Sequence, residues 1–208
     1  MNCKLIWITP NCEQMISDIA RVSNPANQGL PPGKLLGYCV RNNHWSPFEM
    51  ANAVIEINTT RTIARQILRH RSFSFQEFSQ RYASVDALPE TVFSSARLQD
   101  PKNRQNSVAT EDKYLENWWK WRQHQVDRIT HEIYTEALEK GIAKEVARNV
   151  LSEGMTPSRM YMNGTIRSWI HYCNLRKENG TQLEHQHIAK EINELLSKEL
   201  PLVWESLS

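Results

Sequence analysis

Seven glycines are spread through 208 residues, and none of them falls into a GxGxxG or GxxxxGKS/T pattern. A phosphate cradle built from backbone N–H groups needs such glycines, because only a residue without Cβ lets the backbone come close. The sequence therefore argues against a nucleotide fold organised on a glycine-rich loop. Any nucleotide or dinucleotide must be held by side chains and helix ends. Apolar residues make up 40% of the chain, enough for a sizeable core at this length. The net charge of +2 is too small for a dedicated nucleic-acid binder. Positive charge for a phosphate must be gathered locally.

Cys3, Cys12, Cys39 and Cys173 form no CxxC pair and no secreted-style framework, which reads as four free thiols in a reducing compartment. The N-terminal stretch MNCKLIWITPNCEQM is too short and polar for a signal peptide. No apolar run approaches a membrane span. The expectation is a soluble cytoplasmic protein with no membrane partner.

Lys4 to Thr9 reads as a strand, followed by a helix capped at Asn11 with Met15, Ile16, Ile19 and Val22 on its apolar face. Residues 23–33 are a Pro- and Gly-rich loop, LLGYCVRN is a short helix, and Pro47 breaks HWSPFEM. Ala51 to Ile57 reads as a strand. Thr59 or Thr60 caps a helix to about Arg71, with Ile63, Ala64, Ile67 and Leu68 inward. Residues 83–110 lack periodicity and form an irregular excursion, a lid or an intersubunit arm. A long helix spans Glu111 to Lys140, with Leu115, Trp118, Trp119, Val126, Ile129, Ile133 and Ala137 as its apolar stripe and Gly141 at its end. Tyr114 to Trp121 holds more aromatic surface than a lone helix buries, pointing either to a subunit interface or to core. Helices are expected over Ala143 to Leu151 and over Pro157 to Leu175, then from Thr181, with Glu184 completing a capping box. The whole reads as one α+β domain over 1–208, mostly helical with a small antiparallel sheet.

The richest chemistry lies in RHRSFSFQEFSQRY, Arg69 to Tyr82. Arg69 and Arg71 stand at a helix end, and guanidinium forks pair with phosphate or carboxylate. Ser79 and Gln80 add neutral donors and Arg81 another cation. Such a set suits a phosphate together with a planar polar ring.

RHR-x7-S, here Arg69-His70-Arg71 to Ser79, resembles the signature of the flavin-dependent thymidylate synthases. HWSPFE, ARQILRHR, EFSQRY, EVARNVL and CNLR are similar to further blocks of that family and stand in its order. The resemblance implies reductive methylation of dUMP to dTMP, with 5,10-methylenetetrahydrofolate as carbon donor and FAD reduced by NADPH. It implies that Arg176 ionises the uracil. It places dUMP against Gln66, Ile67, Leu68, Arg69, Glu77, Phe78, Ser79, Gln80, Arg81, Arg148 and Arg176. FAD is implied at Ser46, Arg69, His70, Arg71, Glu77, Thr165, Arg167 and His171, with His44 on the flavin or folate side. It also implies a homotetramer whose active sites are shared between subunits.

The sequence departs from the family pattern at Thr165, where many members have Asn, and at Gly180, where members often have His or Ala; Asn163 is a nearby substitute for the former. His171 is either a flavin contact or a core histidine. Cys173 has no evident base beside it, and Ser79 no recognisable His–acid partner, so neither reads as a nucleophile. Two rival readings are weaker. A single-strand nucleic-acid module conflicts with the near-neutral charge. A metal site of Glu184, His185 and His187 conflicts with helix geometry, since residues two apart face different sides. No metal and no nucleic acid are expected.

Overall fold

The structure, a computed structural model, describes residues 1–88, 91–178 and 180–207. Four strands form one antiparallel sheet: β1 (Asn2–Ile8), β2 (Asn52–Thr60), β3 (Phe73–Glu77) and β6 (Pro157–Thr165), in the spatial order β1-β2-β6-β3. A separate two-stranded hairpin, β4 (Arg97–Gln99) with β5 (Ser107–Ala109), lies within the 83–110 excursion.

The sheet is hydrophobic on one face. Ala53, Ile55 and Ile57 of β2 alternate inward and lie beside Gly164, Met162 and Met160 of β6. The outer face is polar: the Tyr161 hydroxyl donates to Glu56 Oε2 at 2.7 Å, and Arg159 Nε donates to Asn58 Oδ1 at 3.0 Å. Helices α6 (Ile166–Arg176) and α7 (Leu183–Glu199) contribute Trp169, Ile170, Ile188, Ile192 and Leu196 to the core. Ile16 of α1 (Cys12–Ala20) and Leu36 of α2 (Gly33–Arg41) join it, and α8 (Pro201–Glu205) adds Val203 and Trp204. Trp169 is fully buried, and its indole N–H donates to the Ala53 carbonyl at 3.1 Å, so its one polar atom is satisfied.

Several expectations are corrected. Pro157 to Leu175 is not one helix: it is β6 followed by α6. Ser158, Met160, Met162 and Gly164 face inward with a period of two, and methionine, with no β-branching, hides that strand signal. The helix from Thr60 is shorter than expected. It is α3 (Arg61–Ile67), and the chain then turns into β3. The capping box does not form; α7 starts at Leu183 and the Glu184 carboxylate pairs instead with Arg97. The expected helix at 143–151 is one turn, α5 (Lys144–Ala147), and a 3-10 turn.

The long helix is present as α4 (Lys113–Glu139), capped by Asp112, whose carboxylate accepts from Tyr114 N and Leu115 N. Its stripe is not buried in this chain. Trp118, Trp119, Val126, Ile129 and Ile133 are all more than a third exposed; Gln123 and Tyr134 are its buried residues. Tyr134 packs with Val85 and Ala147 in a small second cluster.

Gly164 lies opposite Phe73 in the antiparallel pairing of β3 with β6. A Cβ there would meet Phe73 Cδ1 at 2.3 Å, and the Phe73 ring is held edge-on against Trp169 at 4.7 Å. Gly164→Ala is expected to destabilise the fold by roughly 1–3 kcal/mol, read as a lower urea midpoint with an unchanged slope.

Candidate active site

The turn between α3 and β3 brings the RHR segment against the end of α6. His70 N donates to the Ile67 carbonyl at 3.0 Å and closes the turn. Arg176, the last residue of α6, then donates from Nε to His70 Nε2 at 2.9 Å. An imidazole nitrogen that accepts is unprotonated, so the His70 proton sits on Nδ1. Burial, then the Arg176 and Arg69 charges, push the His70 pKa down to about 4. The Nη atoms of Arg176 have no partner among the described residues, so the pair is an oriented cation without a counter-ion.

Behind this pair, Tyr172 and His185 are buried and joined at 3.0 Å between the hydroxyl and Nε2. His185 Nδ1 lies 3.2 Å from Gln66 Oε1, and Gln66 Nε2 donates to Gln182 Oε1 at 2.7 Å. Burial, then the charge of Arg176, hold the His185 pKa at about 3. Glu184, His185 and His187 do not converge: His185 is buried and His187 exposed. Among the described residues, no group of three or more His, Cys, Asp or Glu side chains could hold a metal ion.

The arginines of the Arg69–Tyr82 segment differ from their helical predecessors. Arg61 faces Glu77 at 3.9 Å, and Arg65 is paired with Glu153. Arg69, Arg71 and Arg81 are exposed and make no side-chain hydrogen bond or ion pair among the described residues. Three unpaired forks on one short segment are what an anionic ligand requires. The Glu77 carboxylate accepts from the Ser158 hydroxyl at 2.6 Å. Ile67 is buried and Leu68 packs on the core, so neither offers a polar side chain. Phe78 N donates to the Arg159 carbonyl at 2.8 Å. Ser79 is exposed, and its carbonyl accepts from Tyr82 N and Ala83 N at 3.0 Å. Gln80 is buried with its Nε2 unpartnered among the described residues. Arg148 Nε donates to the Glu145 carbonyl at 3.3 Å, and among the described residues no hydrogen bond joins Arg148 to Arg176.

A groove of about 680 Å³ is lined by Tyr38, His44, Trp45, Ser46, Glu49 and Arg167, among others. His171 is exposed rather than a core residue, and its ring packs edge-on against Trp45 at 5.1 Å. Arg167 is paired with Glu49. Thr165 is the N-cap of α6, its hydroxyl accepting from Ser168 N at 3.1 Å. Asn163 is exposed on the outer face of β6. Gly180 has φ 95°, a conformation that disfavours any side chain and accounts for glycine there. Cys173 is buried, which pushes its thiol up to about 12 and leaves no thiolate to attack a base. The four cysteines are unpaired.

The family described as thymidylate synthase complementing protein matches residues 4–202. A relative from Paramecium bursaria Chlorella virus 1, named a probable flavin-dependent thymidylate synthase, is 48% identical over 216 residues, covering 100% of this chain and 99% of its own. A flavin-dependent thymidylate synthase from Synechocystis is 47% identical, covering 94% and 89%. The chain belongs to the flavin-dependent thymidylate synthase family. A crystal structure of a UMP/dUMP methylase from Streptomyces cacaoi, bound with 5-Br dUMP, superposes with a TM-score of 0.84 at 26% identity, over 99% of this chain and 93% of that one.

Within the flavin-dependent thymidylate synthase fold of this chain, sequence reasoning missed Tyr172, Gln182 and the site-facing role of His185. For Tyr172 and His185 the signal is their place on the inner faces of α6 and α7, whereas Gln182 is the exposed N-cap of α7. The neutral His185 also gives a pH signature. Its folded pKa lies below the ordinary 6.5, so on acidification the unfolded chain takes the proton first. Stability is unaffected above about pH 6.5 and is lost as pH falls from there toward 3. At pH 5 this residue alone is expected to cost roughly 2 kcal/mol. Urea unfolding at pH 7 and pH 5 measures it, and His185→Leu removes that share of the difference.

Proposed function

We propose that this chain converts dUMP to dTMP by reductive methylation, with 5,10-methylenetetrahydrofolate as carbon donor and FAD, reduced by NADPH, as cofactor. The observation that carries the reading is the Arg176 guanidinium, fixed through Nε by a neutral histidine and with its Nη atoms unpartnered among the described residues. C5 of uracil is a poor nucleophile while N3 is protonated. A permanent planar cation beside N3 and a neighbouring carbonyl stabilises the ionised ring, and electron density then reaches C5. Neutral His70 orients the cation without cancelling its charge.

The other roles follow from charge and exposure. Arg69, Arg81 and Arg148 bind the phosphate, with Ser79 as a neutral donor. Gln66, Glu77 and Gln80 contact sugar and base, and Ile67, Leu68 and Phe78 contribute main-chain contacts. The residues present fit a flavin. Tyr38, His44 and Trp45 supply aromatic walls and Ser46 a hydroxyl in the groove that Arg167 also lines. His171 extends that wall, Thr165 lies beside it, and Arg69, His70, Arg71 and Glu77 supply the polar edge. Bound and reduced, the flavin supplies the reducing equivalents for the methyl group. His44 stands on the flavin or folate side.

The assembly that fits this reading is a homotetramer with active sites shared between subunits. The open apolar surface of α4, about 40 Å long, supports the same reading. We assign the protein to the cytoplasm, without nucleic-acid or membrane partners. The near-neutral charge supports this, and no helix among the described residues is long and apolar enough to cross a membrane.

The deciding assay is dTMP formation from dUMP, methylenetetrahydrofolate and NADPH, with and without FAD. Flavin-dependent product is expected; folded protein that binds no flavin and forms no dTMP overturns the reading. Arg176→Lys keeps the charge and loses the fork. Its kcat is expected to fall about 10²-fold, with a smaller loss of dUMP affinity. Unchanged turnover removes Arg176 from the ionisation step. Light scattering is expected to give a tetramer for the native chain and smaller species for Ile129→Glu.

A further inference from the structure

A continuous chain of hydrogen bonds runs from the β4–β5 hairpin to the interior behind Arg176. Arg97 holds Glu184 with both forks, Nη1 to Oε1 at 2.6 Å and Nη2 to Oε2 at 3.0 Å. Gln182 Nε2 donates to Glu184 Oε2 at 3.0 Å. Gln66 Nε2 donates to Gln182 Oε1 at 2.7 Å, Gln66 Oε1 lies 3.2 Å from His185 Nδ1, and His185 Nε2 lies 3.0 Å from the Tyr172 hydroxyl.

The direction of this chain follows from its charged end. An ionised carboxylate accepts and cannot donate. Gln182 must therefore turn its NH2 group to Glu184 and its oxygen to Gln66. Gln66 must turn its NH2 to Gln182 and its oxygen to His185. His185 must then carry its proton on Nδ1 and accept from Tyr172 on Nε2. One N–H and one lone pair of the Gln66 carboxamide remain, and their places are set by the same constraint. We propose that Glu184, clamped by Arg97, is a positioning residue that fixes which edge of the Gln66 carboxamide meets the nucleotide. The functional half rests on nucleotide binding at Gln66, as proposed above.

Glu184→Met keeps the length of the side chain and removes both acceptor oxygens. Gln182 then has no carboxylate to orient it, both senses of the chain are allowed, and His185 populates both tautomers. Magic-angle-spinning 15N spectra of histidine-labelled protein report the tautomer, with His185 assigned by His185→Leu. The expected result is Nδ1–H in the native protein and a mixture of Nδ1–H and Nε2–H in Glu184→Met. dUMP affinity in calorimetry should weaken by about twofold or more, with flavin content retained. Arg97→Lys, which keeps a cation on Glu184, should preserve the native tautomer. Gln182→Leu, at an exposed position, breaks the chain without burying anything new and should give mixed tautomers with the same loss of affinity. Nε2–H in the native protein, or an unchanged tautomer in both Glu184→Met and Gln182→Leu, overturns the chain. Mixed tautomers with native dUMP affinity overturn the positioning role. Native protein that binds no dUMP overturns the nucleotide reading itself, and the spectra then still judge the chain.

Discussion

The pairing of β6 with β2 and β3 is the constraint on which the rest depends. β6 lies between those two strands and runs without interruption into α6, whose cap is Thr165. Its register, Ile55 opposite Met162 and Phe75 opposite the same Met162, fixes where α6 begins. The eleventh and last residue of α6 is Arg176. The same register places β3, and hence the turn carrying His70, beside that helix end. A slip by one residue would turn Met160 and Met162 to the outer face and put Arg159 and Tyr161 in the core. The proposed catalytic cation is thus located by a strand ladder rather than by a loop.

A cation useful for stabilising an anionic ring must be oriented and yet not neutralised. A carboxylate on Arg176 would do the first and defeat the second. Histidine held neutral meets both demands, because it accepts through Nε2 and brings no charge. Burial keeps His70 and His185 unprotonated, and the arginine field strengthens the effect. The cost is desolvation, with stability surrendered in acid. The arginines four residues apart also differ: Arg61 and Arg65 are paired with carboxylates, whereas Arg69 makes no side-chain hydrogen bond or ion pair among the described residues.

The residues proposed for the site stand out in the sequence more plainly than the strands do. RHR-x7-S, NLR and the neighbouring blocks carry chemistry in residue identity, which needs no three-dimensional context. The sheet was half legible. β1 and β2 carry Leu, Ile and Val in strand-like runs, but β6 draws its inward face from Ser, Met and Gly, residues without strong strand preference. β3 is hidden for a different reason: it is only five residues long, with Phe73 and Phe75 on one side and the exposed Ser74 and Gln76 between them. The capping-box pattern at Thr181 and Glu184 misled because a guanidinium competes better for a carboxylate than one backbone N–H does. The chain from Glu184 to Tyr172 could not be read from sequence at all, since its members come from α3, α6 and α7.

The long helix shows where reasoning from one chain meets its physical limit. The apolar period of α4 is real in the sequence, and in a lone protomer it is unsatisfied. Trp118, Trp119 and Trp121 bring large apolar rings to an exposed surface, and Arg122 lies over the Trp121 ring at 4.7 Å. Burying each such side chain is worth roughly 1.5–3 kcal/mol, so a contiguous open face of this kind carries a strong drive to association. Arg148 stands in the 3-10 turn that packs against α4. In the tetramer proposed above, covering α4 therefore also places that turn near a neighbouring chain, so that subunit contact and completion of the nucleotide site would be one event, driven by apolar area and read out in phosphate binding.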